Sequence, residues 1–328
     1  MEKCMSEFTT VERERELLRE ELLQGLRRQQ KMLPSKYFYD EIGSVLFEEI
    51  CTLPEYYPTR TEIGILRNNI DEIVRYVGRD CLLIEYGSGA SVKIRLLLEH
   101  LQSIAAYVPI DISGEHLLAA AAELGRAYPS LTILPVPADY TQDFELPEID
   151  VKHKSRVVFF PGSTIGNFTP VEARRFLAHI AEVTGEGGGL LIGVDLKKEI
   201  AVLEAAYNDS RGVTADFNIN MLVRLNAEFG ADFDLDAFRH KAVWNGHHGR
   251  IEMHLISLRE QTVRVAGEYL RFHRGESILT EYSYKYDLAQ FAAVATPYFQ
   301  VEKVWTDAHG LFSVQYLRCV SRARSARV

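Results

Sequence analysis

The sequence predicts an α/β protein: a mostly parallel sheet with helices on both faces, joined by a second, α+β domain. Three observations carry this prediction. Apolar runs of strand length alternate with amphipathic helices from about residue 81 to 196. The alternation breaks after Asp195, where strand-like stretches recur, and it resumes at residue 287. The predicted domains are therefore 61–196 plus 287–328, and 1–60 plus 197–286.

Residues 10–31 alternate charge with Leu17, Leu18, Leu22, Leu23 and Leu26 at helical spacing, a surface helix that Pro34 ends. The stretch KYFYDEIGSVLFEEICTLPEYYPTRTE (36–62) sets tyrosine-rich clusters around a short helical segment. CLLIEYG (81–87) is a strand and SVKIRLLLEHL (91–101) its helix; AAYVPIDI (105–112) is a strand before the helix of 114–127. LTILPVPADY (131–140) and RVVFFPG (156–162) follow as strands, the second before a helix at 170–183, and GLLIGVDL (189–196) is the fifth. KAVWNG, GRIEMHLISL, QTVRVAG and SILTEYSYKY read as strands of the insert. After DLAQFAAVATPYF (287–299), VEKVWTDAHG and LFSVQYLRCV meet at Gly310 as an antiparallel hairpin closing the sheet.

The chain has 328 residues, 47% hydrophobic and 25% charged, ample for a proper core. A net charge of −9 without a long basic tract argues against binding a nucleic-acid backbone. No apolar run approaches the ~18 residues of a membrane span, and the basic-then-apolar layout of a signal peptide is missing. A cytoplasmic monomer acting on a small molecule is expected, and the sequons at Asn167 and Asn208 are then silent. Cys4, Cys51, Cys81 and Cys319 are scattered and read as reduced packing thiols, not as two disulfides.

Glu85-Tyr86-Gly87-Ser88-Gly89 lies between the first strand and the first helix. Glycines there let the backbone approach a ligand, and the helix start offers free N–H groups. A dinucleotide fingerprint needs a third glycine where the chain has Val92, and no GKS/T follows. An E-x-G-x-G loop of this kind suits S-adenosylmethionine; a plain tight turn is the alternative. Asp111 and Asp139 end the next two strands, placed to accept from ribose hydroxyls and the adenine amino group, with Tyr140 packing on the ring. Either aspartate alone also fits a helix cap or turn. Lys93 suits the methionine carboxylate, or else is a solvated lysine.

FFPGSTIGNF (159–168) opens a buried strand into a narrow polar loop at Pro161 and Gly162. Asn167 there offers a carbonyl acceptor and an amide donor, matching the ammonium and carboxylate of an amino acid. Its competitor is a cap on the helix beginning Thr169-Pro170.

KYFYDEIGSVLFEEICTLPEYYPTRTE, EYGSGAS, FFPGSTIGNF and LTEYSYKY together resemble the L-histidine Nα-methyltransferases of ergothioneine biosynthesis over nearly the whole chain. The resemblance implies a class I, Rossmann-like methyltransferase fold with S-adenosylmethionine held by Gly87, Lys93, Asp111, Asp139 and Tyr140. Gly162 and Thr164 of the fourth-strand loop complete the expected cofactor set. It implies Asn167 and Tyr207 at the amino and carboxylate ends of histidine, Tyr39 near the amino end, and Tyr56, Glu281 and Ser283 around the imidazole.

Glu281 and Ser283 are two apart on a strand and so share a face, where a carboxylate and a hydroxyl satisfy two ring nitrogens. An exposed, salt-bridged Glu281 is the alternative. Met253 lines the same pocket or simply packs, and the three tyrosines also suit interdomain packing. His247-His248 lacks the partners of a metal motif, so a polar turn is expected and no metal. The expected chemistry is direct displacement without a general base, positioned by Asn167 and Tyr39; the resemblance implies three rounds, giving hercynine. It requires one crevice between the sheet edge and the inserted lobe. A tryptophan-type substrate and a non-catalytic S-adenosylmethionine-binding protein are the rivals.

Overall fold

The computed structural model describes residues 10–89, 92–140, 146 and 148–320. Cys4 and the Ala90-Ser91 end of the EYGSGAS motif lie outside them. The chain divides into two compact units. One comprises Cys51–Leu203, Asn245–Ile251 and Tyr282–Val328; the other comprises Met1–Ile50, Glu204–Trp244 and Glu252–Glu281.

The first unit contains a sheet of seven strands: β1 (Cys81–Tyr86), β2 (Ile104–Asp111), β3 (Val136–Pro137), β4 (Ser155–Phe160), β5 (Gly189–Asp195), β6 (Phe299–Thr306) and β7 (Phe312–Cys319). Their order is β6-β7-β5-β4-β1-β2-β3. Every pairing is parallel except those of β7, which runs antiparallel to both β6 and β5. This is the mostly parallel, Rossmann-like sheet that the alternating pattern predicts.

Side chains alternate between its faces. Leu82, Ile84, Val158 and Phe160 pack with the helices Pro170–Thr184 and Leu288–Ala295. Leu83, Val157 and Phe159 pack with Tyr57–Val77, Val92–His100 and Gly114–Ala127. Each fully buried large apolar side chain contributes about 1.5–3 kcal/mol of transfer free energy.

Three expectations need correction. The third strand shrinks to Val136–Pro137, with one isolated bridge from Ile133 to Tyr107, because Pro135 and Pro137 have no N–H to offer a ladder. The first helix is Thr10–Leu26, ending well before Pro34; Lys31–Met32 instead pairs in parallel with Ile278 and Leu279. Gly25 permits that return, since a Cβ there would stand 2.2 Å from the Met32 carbonyl oxygen. Residues 51–60 and 197–203 belong to the unit of the parallel sheet. The helix containing Tyr57 carries Ile65, Leu66 and Ile73 into the sheet's core.

The second unit carries a four-stranded sheet ordered Lys31–Met32, Ser277–Tyr284, Arg250–Ser257, Phe238–Asn245. It also carries a hairpin that pairs Gln261–Val265 with Glu268–Phe272. EYLRF is a strand the sequence reading lacks; Ala266 and Gly267, at φ 50° and 87°, form its two-residue turn. Cys81 is a buried, free thiol. Among the described residues no helix is long and apolar enough to cross a membrane.

Candidate active site

The predicted cofactor residues follow the carboxyl ends of β1, β2, β3 and β4, with Lys93 in the helix after β1. Gly87 and Gly89 have φ of +72° and +38°, a backbone that side chains with a Cβ rarely adopt. A Cβ on Gly87 would lie 3.3 Å from the Tyr140 hydroxyl oxygen, so the turn passes close to that ring. The Asp111 carboxylate accepts from Ser113 N at 2.9 Å and from Gly89 N at 3.5 Å, tying the end of β2 to the glycine turn. Asp111 is thus a turn former, with carboxylate lone pairs left for a diol. Tyr140 stands edge-on to Tyr86 and Phe160, with centroids 5.7 Å and 6.1 Å away, and Asp139 beside it is half-buried.

Lys93 is no solvated lysine. Its ammonium lies 2.6 Å from Glu62 Oε2, and the Glu62 side chain is only 1% exposed. Both Glu62 oxygens accept from Gly162 N, at 3.0 and 2.9 Å. A Cβ on Gly162 would be 3.4 Å from Lys93 Nζ and 3.5 Å from Thr164 Oγ1. One buried carboxylate therefore joins the first helix after β1 to the loop after β4. Glycine turns at both strand ends, a carboxylate acceptor and an ammonium fit the sugar, sulfonium and amino-acid parts of S-adenosylmethionine.

Glu85, at 2% exposure, accepts from the Tyr107 hydroxyl on β2. Burial drives its carboxyl up to about 8, against the Tyr107 bond and Lys93, which favour the charged form.

The loop FFPGSTIGNF is braced at several points. Ser163 adopts φ +58°, and its Oγ accepts from Asp195 N at 2.9 Å. Thr164 Oγ1 donates to the Pro161 carbonyl at 3.0 Å. Gly166 packs so closely that a Cβ would stand 2.8 Å from the Tyr284 carbonyl and 3.6 Å from Ser283 Oγ. Asn167 is not the cap of the following helix. Thr169 fills that place in a capping box with Glu172. The Asn167 side chain is half-buried, and no hydrogen bond engages it among the described residues.

Asp195, at 0% exposure, was absent from the predicted set. Its oxygens take the Tyr57 hydroxyl at 2.8 Å and the ammoniums of Lys198 at 2.5 Å and Lys285 at 2.6 Å. Burial pushes this carboxyl up, but the two lysines outweigh it and hold it below the usual carboxylate range. Burial lowers the Lys198 ammonium to about 8, with Asp195 opposing. Lys285 also donates to Ser283 Oγ at 2.8 Å. Asp195 ends an apolar strand just as Asp111 does, so the same signal points to it. Glu62, inside a helix, has no such local signal.

Of the remaining predicted residues, Tyr56 is 9% exposed at the start of its helix and Ser283 is 4% exposed. In the other unit the Tyr39 ring stands edge-on to Phe47 and Phe217, at 5.7 and 5.9 Å. Tyr207 is buried, and its carbonyl accepts from His240 Nε2 at 2.8 Å. Met253 is 2% exposed and Glu281 is half-buried, not exposed. His247 and His248 lie in the Asn245–Gly249 turn, which Asn245 closes by accepting from His248 N and Gly249 N. Among the described residues no group of three or more His, Cys, Asp or Glu is placed to hold a metal ion.

A family model described as "Histidine-specific methyltransferase, SAM-dependent" matches residues 18–319. The chain is 40% identical over 321 residues to the histidine N-alpha-methyltransferase of Mycolicibacterium smegmatis, covering 96% of this chain and 98% of that one. It is 43% identical over 303 residues to the Mycobacterium tuberculosis protein of the same name, covering 90% and 93%. Ergothioneine biosynthesis protein 1 of Neurospora crassa is 31% identical over 263 residues, which cover 78% of this chain and 30% of that larger one. With the parallel sheet, the glycine turns and the braced Asn167 loop in place, the chain belongs to the S-adenosylmethionine-dependent, histidine-specific methyltransferases.

Proposed function

We propose that this enzyme methylates the α-amino group of free L-histidine three times, forming hercynine for ergothioneine biosynthesis. The observation that carries the proposal is Asn167: a half-buried amide without a partner among the described residues, on a loop whose backbone is pinned by Glu62 and Ser163. A rigid loop presenting a donor and an acceptor suits the two ends of an amino acid.

S-adenosylmethionine, held by Gly87, Lys93, Asp111, Asp139, Tyr140, Gly162 and Thr164, supplies a methyl group already activated on sulfur. The chain's task is alignment, an effect that can supply about 7–11 kcal/mol of barrier lowering. Asn167 and Tyr207 orient the amine and carboxylate, with Tyr39 near the amine. With S-adenosylmethionine bound, the neutral α-amine would take the methyl group from sulfur, leaving S-adenosylhomocysteine, and would shed a proton to water before each further round. Tyr56, Met253, Glu281 and Ser283 take the side chain. Glu281 accepts an imidazole N–H and Ser283 serves the other ring nitrogen, which favours histidine over an indole or an apolar side chain. The same proposal takes the protein as a cytoplasmic monomer.

Incubating the protein with S-adenosylmethionine and each amino acid, then weighing products by mass spectrometry, tests this directly. Mono-, di- and trimethylated histidine are expected from histidine alone. Methylated tryptophan instead, or cofactor binding without turnover, overturns the proposal. Glu281→Ala is expected to raise the histidine KM about 10- to 150-fold while the affinity for S-adenosylmethionine is kept.

A further inference from the structure

The strand Phe238–Asn245 lies at the edge of its four-stranded sheet and holds the segment from Glu204 to Asn208, which carries Tyr207. We infer that His240 on this strand is a positioning residue for substrate: a neutral imidazole, with its proton on Nε2, holds the Tyr207 backbone carbonyl and so sets where the Tyr207 side chain stands. The inference rests on the proposed role of Tyr207 at one end of the amino acid.

A neutral imidazole has one nitrogen that donates and one that accepts, and its neighbours decide which is which. His240 Nε2 lies 2.8 Å from the Tyr207 carbonyl oxygen, which can only accept, so Nε2 carries a proton. Nδ1 lies 2.8 Å from Asn218 Nδ2. The Asn218 amide cannot be turned over, because Nδ2 also donates to the His254 carbonyl at 3.2 Å, where an amide oxygen would face a second acceptor. An amide nitrogen only donates, so Nδ1 is bare. Both ring nitrogens are then assigned, and the ring holds one proton. Burial lowers the imidazole below the usual histidine range, opposed by the Tyr207 bond and Asp209 and reinforced by His254.

The same strand fixes the residues on both sides of Tyr207. Asn208 Oδ1 accepts from Ala242 N at 3.0 Å and its Nδ2 donates to the Ala242 carbonyl at 3.0 Å, so an amide takes the place of a neighbouring strand. Trp244 N donates to Glu204 Oε1 at 2.9 Å, and Tyr207 N donates to the Glu204 carbonyl at 3.2 Å. With the N–H and the carbonyl of Tyr207 both engaged, the direction of its Cα–Cβ bond is set. The donor to that carbonyl is a side chain, so it can be exchanged without touching the backbone.

The test compares His240→Gln with His240→Asn, alone and on a Tyr207→Ala background, reading kcat, the KM for histidine, the KM for S-adenosylmethionine and a melting curve for each protein. Glutamine places an amide N–H near the position of Nε2, whereas asparagine reaches only as far as Nδ1. His240→Asn is expected to raise the histidine KM about tenfold and His240→Gln less than about threefold, with the S-adenosylmethionine KM changed less than about twofold in both. On the Tyr207→Ala background His240→Asn should add nothing. Equal rises for the two variants, equal rises in both KM values, or effects that add across the cycle overturn the inference and make His240 merely structural. If Tyr207→Ala impairs histidine and His240→Asn does not, this inference alone falls. If Tyr207→Ala leaves the histidine KM unchanged, the proposed role of Tyr207 falls with it. Should His240→Asn fail to fold, His240→Phe, a ring without a donor, carries the same expectation, and an unchanged histidine KM there overturns the inference. A heteronuclear NMR spectrum of histidine-labelled protein, with His240→Gln to assign the signal, should show Nε2 protonated and Nδ1 bare at neutral pH; the opposite tautomer or a doubly protonated ring overturns it as well.

Discussion

Two buried acidic residues brace the same loop of the sheet unit, one through its carboxylate and one through its backbone N–H. Glu62 faces one ammonium, Lys93, and otherwise binds backbone, taking Gly162 N on both oxygens. Asp195 faces two ammoniums and the Tyr57 hydroxyl, while its own N–H donates to Ser163 Oγ. The first centre is neutral and fixes backbone. The second sets two ammoniums on one carboxylate, and one of them also donates to Ser283 Oγ. One acid pins a backbone turn; the other gathers side chains from three parts of the chain.

The largest effect is expected from Asp195→Ala. It strands two buried lysines where Glu62→Ala strands one, and breaking a buried pair costs about 3–5 kcal/mol. Glu62→Ala should lose about that much in urea denaturation, and Asp195→Ala more. Equal losses would mean that the second lysine is not held by Asp195 in solution.

Asn167→Ala should separate bracing from binding. Its amide has no partner among the described residues, so melting is expected to stay within about 0.5 kcal/mol of the parent. The kcat/KM for histidine should fall about 10- to 150-fold as bonds to charged groups are lost. A large loss of stability would assign Asn167 to the scaffold.

Glu85 is the uncharged counterpart of the two centres. Its carboxyl is raised from 4.5 to about 8 by burial and hydrogen-bonded by Tyr107. Between those values the folded state binds more protons than the unfolded one, so this group's contribution to stability falls as pH rises from about 4.5 to 8. Glu85→Gln removes that dependence. Its melting temperature should gain on the parent's between pH 5 and about 8, in a differential scan at several pH values. A constant difference would show that Glu85 ionises as an ordinary surface acid does.

Much of this architecture was legible because strand and helix periods are local. Leu82 to Tyr86 are apolar but for Glu85, and they form the strand those residues predict. Pro161 and Gly162 end β4 where expected, and Gly87 takes the positive φ that its turn requires. The third strand is cut short by two prolines, which have no N–H to offer a ladder. The helix cap at Thr169 is a Thr-x-x-Glu pattern that could have decided between cap and ligand for Asn167 at once.

The sequence by itself determined the sheet, its carboxyl-edge motifs and the likeness to histidine methyltransferases, because these depend on residues close together in the chain. Which charges meet was decided only by the tertiary structure. Glu62 and Gly162 are 100 residues apart, and Tyr57 and Asp195 are 138 apart. No periodicity records such a pairing. It exists because a charge buried by folding needs an opposite charge or a donor beside it, and the fold brings them from distant parts of the chain.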